Sequence, residues 1–459
     1  MTGRKKFVQS HSFGLTRHHH AQSEVILVKS ELESHSRISA ARICLISAII
    51  FVASHLAFLT GIETPDKFVF DEFHYVPAAR QMLLPVMPEP MLNPMHPPLA
   101  KQIIAFSIRN LGDNPLGWRY PSALFGALAI VAVYLCGLAM FAAQGPAIAA
   151  ALIAFFNQML FVEARTAMLD IFALTFGLFG TAAFLYGFRK VQPFGAFVLS
   201  GLAFGLAAAC KWSGLFPLAV CIVIVVAVRL MQSWQTQFAD PRPTDWYRPD
   251  LWPDFKTHHF AICFLLAPAL TYVASFVLLY GLAPHDIIEA QRRIFSDNTT
   301  SAIAGHTYMS SWPSWPLLMR PVWFLFDKIG DDRISAVVLL GNPLVLWPAL
   351  LAVALCLYDW IATRSRDAFL ILAFYFGPWL AWALLPRTLG FLYYYMPAAT
   401  FASLALVYAL RRNKAPGFLL WGFVAIAAAG FAVMLSISAA FIGTSMATFN
   451  RLMLFQSWI

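Results

Sequence analysis

Long apolar stretches separated by short polar turns set the pattern of this chain. Runs long enough to cross about 30 Å of hydrocarbon fall at 41–60, 121–141, 146–162, 170–187, 194–210, 213–230, 259–281, 335–357, 368–385, 390–410 and 417–442. They predict an all-α, polytopic membrane protein with about eleven transmembrane helices. Two longer segments, 61–120 and 282–334, mix apolar with charged positions. Within them, 98–111 (PLAKQIIAFSIRNL) and 284–296 (PHDIIEAQRRIFS) have the spacing of helices lying in the membrane interface. SWPSWP at 311–316 suits an interfacial aromatic belt. No internal repeat or low-complexity segment is visible.

Composition narrows the class further. Of 459 residues, 59% are apolar and 12% charged, with a mean hydropathy of +0.67. A soluble domain is nearer half apolar and a quarter charged, so a soluble globule, a coiled coil and a disordered chain are excluded. Residues 1–40 are polar, and the first apolar run begins near Ala41. This predicts a cytoplasmic tail ahead of a signal anchor, not a cleaved signal peptide. The organisation is then a tail over 1–40 and one transmembrane domain over 41–459. The six cysteines lie in or beside apolar runs without a C-x-x-C pair, as buried small hydrophobes do. His18–His20 reads as part of the solvated tail.

The net charge of +9 would suit nucleic acid in a soluble protein. Here its distribution says otherwise. With the N-terminus inside and an odd number of spans, segments 61–120 and 282–334 lie outside. So do the turns near 163–169, 211–212 and 386–389. That arrangement puts 18 Lys and Arg against 9 acids inside, and 14 against 14 outside. The excess orients the chain in the membrane. No nucleic-acid partner is implied. The balanced outer charges need another explanation.

The candidate chemistry lies among those outer charges. Asp71 and Glu72 sit about ten residues after the first run, flanked by aromatics in Phe70-Asp71-Glu72-Phe73-His74-Tyr75. Such carboxylates are either solvated loop acids or a partly desolvated general base. In Asn93-Pro94-Met95-His96-Pro97-Pro98-Leu99-Ala100-Lys101 the prolines forbid a helix and favour one starting just after. His96 and Lys101 are left beside that helix. Glu163, Arg165 and Asp170 share one turn and should pair with one another. Arg119, Arg165, Lys211 and Arg387 face the same side as Asp71 and Glu72, and such cations suit a lipid-linked phosphate.

Eight motifs occur in order between about residues 60 and 410: FDEFHYV, MHPPLAK, RYPSALFG, EARTAMLDIF, ACKWSGLF, SWPSWPLLMRP, LGNPLVLW and PRTLGFLYYYMPA. Together they resemble the protein O-mannosyltransferases, polyprenyl-phosphate-sugar-dependent glycosyltransferases of the GT-C fold. The resemblance implies Asp71 as the base that deprotonates an acceptor hydroxyl, with Glu72 orienting sugar or acceptor. It implies Arg119 as a phosphate contact and His96 to Lys101 at the donor pocket. Glu163, Arg165 and Asp170 match the family's acid-rich turn. Glu163, Asp170, His74 and Tyr75 stand as supporting residues around the site. Trp312, Trp315 and His306 match an aromatic loop over the acceptor.

The donor implied is a sugar on polyprenyl phosphate, most readily mannose, and the acceptor a secreted or membrane protein near the Sec translocon. No metal site is assigned. The family leaves a divalent cation open near Asp71, Glu72, His74 or His96. The β-trefoil insertion of eukaryotic members has no room in 282–334, which points to a bacterial-type enzyme of the inner membrane with its site on the periplasmic side. Two alternatives stand beside this reading. One is a relative that transfers aminoarabinose or another sugar to lipid A or a surface glycan. The other is a secondary transporter or flippase, which would call for repeat-related halves and charges at mid-membrane.

Overall fold

A computed structural model describes residues 38–85, 91–238, 251–299, 305–385 and 389–459. The chain divides into Met1–Ile49 and Ile50–Ile459. Of the first unit, the described part is residues 38–49, with the opening of α1 (Ala40–Leu59). The second holds every other described element.

Helices dominate, as the apolar runs predict. After α1 come α2 (Glu72–Gln81), α3 (Leu99–Leu111), α4 (Pro115–Phe141), α5 (Gln144–Phe155), α6 (Gln158–Glu163), α7 (Asp170–Phe188) and α8 (Phe194–Cys210). They are followed by α9 (Leu215–Phe238), α10 (Thr257–Tyr280) and α11 (Pro284–Thr299). Beyond these lie α12 (Pro343–Thr363), α13 (Arg366–Leu384), α14 (Met396–Leu410), α15 (Gly417–Ser438) and α16 (Met446–Leu452). Among the described helices, eight are long and apolar enough to cross a membrane: α1, α4, α7, α9, α10, α12, α13 and α15. The other three expected spans correspond to the shorter α5, α8 and α14. Both expected interfacial helices form, as α3 and α11.

Two boundaries differ from the reading of the sequence. The run 146–162 is broken, because Asn157 leaves the helix and caps α6 by accepting from the Met159 amide. The run 335–357 does not begin as a helix. Residues Val322–Ile329 (β1) and Arg333–Leu339 (β2) form an antiparallel hairpin, and Thr444–Ser445 (β3) pairs with the start of β2. β2 is buried along Ile334–Leu339, so it shows the unbroken apolarity of a span without being one. The helix starts only at α12, where Asn342 caps and Pro343 takes the first position.

Two contacts fix the frame. The Asn342 amide donates to the carbonyls of Phe156 and Ala427, 2.9 Å each, tying the α5–α6 break to α15. α8 packs on α10 nearly backbone to backbone. A Cβ on Gly201 would lie 1.9 Å from the Cys263 oxygen, and one on Gly205 2.2 Å from that of Pro268. Small residues permit such approach between helices in membranes.

Candidate active site

The segment between α1 and α2 delivers Asp71. Phe70 just before it takes a left-handed backbone, φ 44°, a conformation that costs a non-glycine residue and persists only when its surroundings over-determine it. Here they do. The Phe70 ring stacks on Phe324 of β1 at 4.5 Å and meets His306, Phe391 and Tyr393 edge-on at 6.0, 5.9 and 6.1 Å. The turn aims Asp71 at the start of α2, where its carbonyl accepts from the His74 and Tyr75 amides.

Glu72 holds the same segment from behind. It is fully buried, and so is Arg119 of α4. Nε and Nη2 of Arg119 each donate to one Glu72 oxygen at 2.8 Å. The remaining Arg119 donors go to the carbonyls of Ile62, Pro65 and Lys67 at 3.1, 2.9 and 2.7 Å. The two Glu72 oxygens also accept from the amides of Val69 and Ala167. Arg119 has no donor left for a phosphate and Glu72 no free lone-pair direction for a sugar. The pair is a clamp on residues 62–72 that sets where Asp71 stands.

Asp71 itself accepts a hydrogen bond from the Tyr75 hydroxyl, 3.1 Å. Burial raises its carboxyl above the ordinary carboxylate range. Lys211, His74 and the Tyr75 bond oppose the rise, and the charge of Asp170 adds to it. Burial, then the charges of Asp71 and Asp170, push the Tyr75 phenol well up, so it stays a neutral donor.

Lys211, beyond the end of α8, is buried against Asp170 at the start of α7, with Nζ 2.9 and 2.7 Å from the two oxygens. Its ammonium lies over the rings of Tyr394 and Tyr393, 4.8 and 5.4 Å from their centres. Asp170, Tyr393 and Tyr394 also open an apolar groove that runs past Leu174, Leu178, Pro217 and Phe401 between α7, α9, α13 and α14. Glu163 is buried with neither oxygen hydrogen-bonded. Burial, with the charges of Asp170 and Asp71 against that of Lys211, holds its carboxyl well above the usual range. It does not pair with Arg165 as the shared turn suggests. Arg165 donates instead to the carbonyls of Phe58 and Thr60 at 2.5 and 2.6 Å, between the rings of Phe161 and Phe441. Burial, then the nearby Arg119, lowers its guanidinium to about 10.

The remaining candidates surround this centre. Lys101 is fully buried and its ammonium caps the carbonyls of Asn93 and His96, 2.7 and 2.9 Å away, so its charge serves the loop. Burial lowers its pKa to about 7. The His96 ring meets Tyr75 edge-on at 6.1 Å and lines a separate cavity of about 230 Å³ with Asp286, Glu289 and Arg293. His74 is exposed. His306 packs beside Phe70 and Phe391. The Trp312 carbonyl accepts from the Trp379 indole at 2.8 Å, and Trp315 is buried against Tyr394 and Trp382. Arg387 lies outside the described residues. Among the described residues no three His, Cys, Asp or Glu side chains converge as a metal site. The sequence reading misses the roles of Phe70, Tyr393 and Tyr394. The Tyr-Tyr-Tyr run at 393–395 is the one signal that could find the last two.

Comparison with known proteins identifies the family and the fold. Residues 48–278 match the profile of the dolichyl-phosphate-mannose-protein mannosyltransferases, and 284–458 match that of the C-terminal four-transmembrane region of protein O-mannosyltransferase. A polyprenol-phosphate-mannose–protein mannosyltransferase of Mycolicibacterium smegmatis is 27% identical, over 73% of this chain and 74% of its own. That of Mycobacterium tuberculosis is 27% identical over 76% and 75%. The fold is similar to the Saccharomyces cerevisiae Pmt1–Pmt2 complex bound to its sugar donor, with TM-score 0.73 and 15% identity over 94% of each chain. It is also similar to ArnT of Cupriavidus metallidurans bound to undecaprenyl phosphate, with TM-score 0.56 and 17% identity over 89% and 72%. The chain is a multi-pass membrane glycosyltransferase of the GT-C fold and belongs to the dolichyl-phosphate-mannose-protein mannosyltransferase family.

Proposed function

We propose that this enzyme moves a mannosyl group from polyprenyl-phosphate-mannose to Ser or Thr hydroxyls of polypeptides crossing a bacterial inner membrane. One observation carries the reading. Asp71, raised in basicity by burial, shares a charged cluster with the Lys211–Asp170 pair, and Asp170 opens an apolar groove that suits a polyprenyl tail. Asp71 takes the acceptor's hydroxyl proton as that oxygen forms its bond to the anomeric carbon. The bond from that carbon to the phosphate oxygen breaks, and polyprenyl phosphate leaves with the electron pair. A single displacement inverts the configuration. Lys211 sits where it can hold the leaving charge, and electrostatic stabilisation of this kind is commonly the largest catalytic term. Glu72, Arg119 and Phe70 position Asp71, and Lys101 positions the loop that carries His96. The charge asymmetry of the sequence supports a cytoplasmic N-terminus and a site on the outer face.

The test is reconstitution of the purified enzyme in lipid with polyprenyl-phosphate-mannose and a threonine peptide. The expected product is an α-mannosyl threonine formed from a β-linked donor. A product on lipid A or a surface glycan, with the peptide unmodified, would refute the acceptor assignment. Retained anomeric configuration would refute the single displacement.

A further inference from the structure

A second basic site lies at the far end of α9 from the catalytic cluster. α9 starts beside Lys211 and runs away from it. At 1.5 Å per residue, Arg229 lies about 21 Å along the helix from Leu215, and Trp234 about 29 Å. Across about 30 Å of hydrocarbon, both stand near the opposite membrane face. The exposed Trp234 ring suits that level. Arg229 also fixes the chain where it returns to α10. Its Nη2 donates to the carbonyls of Trp252 and Phe255, the first at 2.9 Å, and its Nη1 to Gln232 at 2.9 Å. The segment so held delivers Lys256 to the start of α10.

Between the two helices is a cavity of about 480 Å³. Arg229, Lys256 and Thr257 line its polar part, and Val226, Leu230 and Phe260 its apolar walls. Among the described residues no acidic side chain lines it, and neither cation pairs with a carboxylate. Asp254, near in the chain, is exposed and stands outside the lining. Val226 and Leu230 are exposed on a membrane-spanning helix, where lipid chains cover them. A lipid lying there has its phosphate at the level of Arg229 and Lys256. Two cations with no acid favour a headgroup of net negative charge, because a zwitterionic one brings a cation of its own. Lys256 is exposed and meets a phosphate as a point charge on a flexible stem, and the Thr257 hydroxyl can add a hydrogen bond.

We infer that this cavity binds an anionic phospholipid. Lys256, Arg229 and Thr257 hold its phosphate, and its acyl chains lie along Val226, Leu230 and Phe260. Basic pockets between membrane helices recognise anionic headgroups in this way. On the orientation proposed above, the site faces the cytoplasmic leaflet, apart from Asp71 and from the apolar groove. The bound lipid bridges α9 to the start of α10, and so braces a helix whose other end walls that groove at Pro217.

Photolabelling of the full-length enzyme in detergent micelles tests it. Phosphatidylglycerol and phosphatidylcholine with the same diazirine-bearing acyl chain are titrated separately, and labelled peptides are mapped. Phosphatidylglycerol should label the peptides that hold Val226, Leu230 or Phe260. Its half-saturating concentration should lie at least about fivefold below that of phosphatidylcholine. Lys256→Gln should raise the phosphatidylglycerol value about fivefold, the worth of one basic residue at an anionic surface, and leave the phosphatidylcholine value unchanged. Lys256→Arg should keep the wild-type value. Lys256 is exposed, so both variants should melt with the wild type. Equal half-saturation by the two headgroups, or wild-type labelling of Lys256→Gln, overturns the site. Loss of labelling in millimolar inorganic phosphate would mark a free-anion site and overturn the lipid as its occupant.

Discussion

Replacing Glu72 by Gln separates a positioning clamp from a substrate contact. In the folded enzyme the Glu72 carboxylate accepts four hydrogen bonds, two from Arg119 and one each from the Val69 and Ala167 amides. A carboxamide in its place presents one oxygen and one NH2. Whichever way it turns, two of the four donors then face another donor. The Arg119 charge stays buried without its partner. Breaking one side of a buried ion pair costs about 3–5 kcal/mol, and the burial of both side chains leaves little solvent screening to reduce that. E72Q should therefore melt several degrees below the wild type in a thermal scan of the detergent-solubilised enzyme. It should also lose most of its transfer activity, because residues 62–72 are no longer held. The double variant E72Q/R119M, which removes the stranded charge, should recover part of the lost stability. The coupling between the two sites should be of order 1 kcal/mol or more. A variant E72Q that melts with the wild type, and shows only a raised donor KM, would place Glu72 on the substrate and refute the clamp.

Three further outcomes follow from the geometry. Asp71→Asn should leave the melting temperature and donor binding intact while cutting transfer by roughly 10²–10⁴; near-normal transfer would remove Asp71 as the base. Because burial raises the Asp71 pKa, wild-type kcat/KM should fall with decreasing pH above the ordinary carboxylate range. A profile flat down to pH 4 would contradict the shift. Lys101 has a folded pKa of about 7 against 10.5 in the unfolded chain. The unfolded state therefore binds more protons between those values, and wild-type stability should rise with pH across that window relative to Lys101→Met, by at most about 1.4 kcal/mol per pH unit. A pH-independent difference in melting temperature would count against it. Phe70→Ala removes the ring that pins the left-handed turn, so kcat should drop at least tenfold (about 1.4 kcal/mol) with donor KM unchanged. An unaltered kcat would show that Asp71 is placed without it.

The spans are legible because apolar length is a local property, and α1, α4, α7, α9 and α10 lie close to where the runs predict. What fails is also local in origin. Ile334–Leu339 is as apolar as a membrane helix because it is buried in a sheet, and nothing in those residues separates the two fates. Asn157 inside an apolar run is a readable cap, and the length of the run hides it. The site is legible as a set of residues and less so as a set of partners. Asp71 and Lys211 come together as charge placement suggests. Arg119 is 47 residues from Glu72, and neither position announces that each would consume the other. Lys101 and Arg165 count by charge as cations available to a phosphate, but both are spent on backbone carbonyls. Pairing over such distances is decided by helix packing, which no single stretch of sequence encodes.

The Lys211–Asp170 pair has a bearing on what the enzyme ignores. Its cation is already neutralised by an in-built carboxylate and rests on the tyrosine faces. Among the described residues, a phosphate approaching this ammonium would have to displace Asp170. On the proposed donor reading, recognition would fall to the isoprenoid chain in the apolar groove beside Asp170. On that reading the membrane, by concentrating long-chain carriers at the groove, would itself act as a selectivity filter.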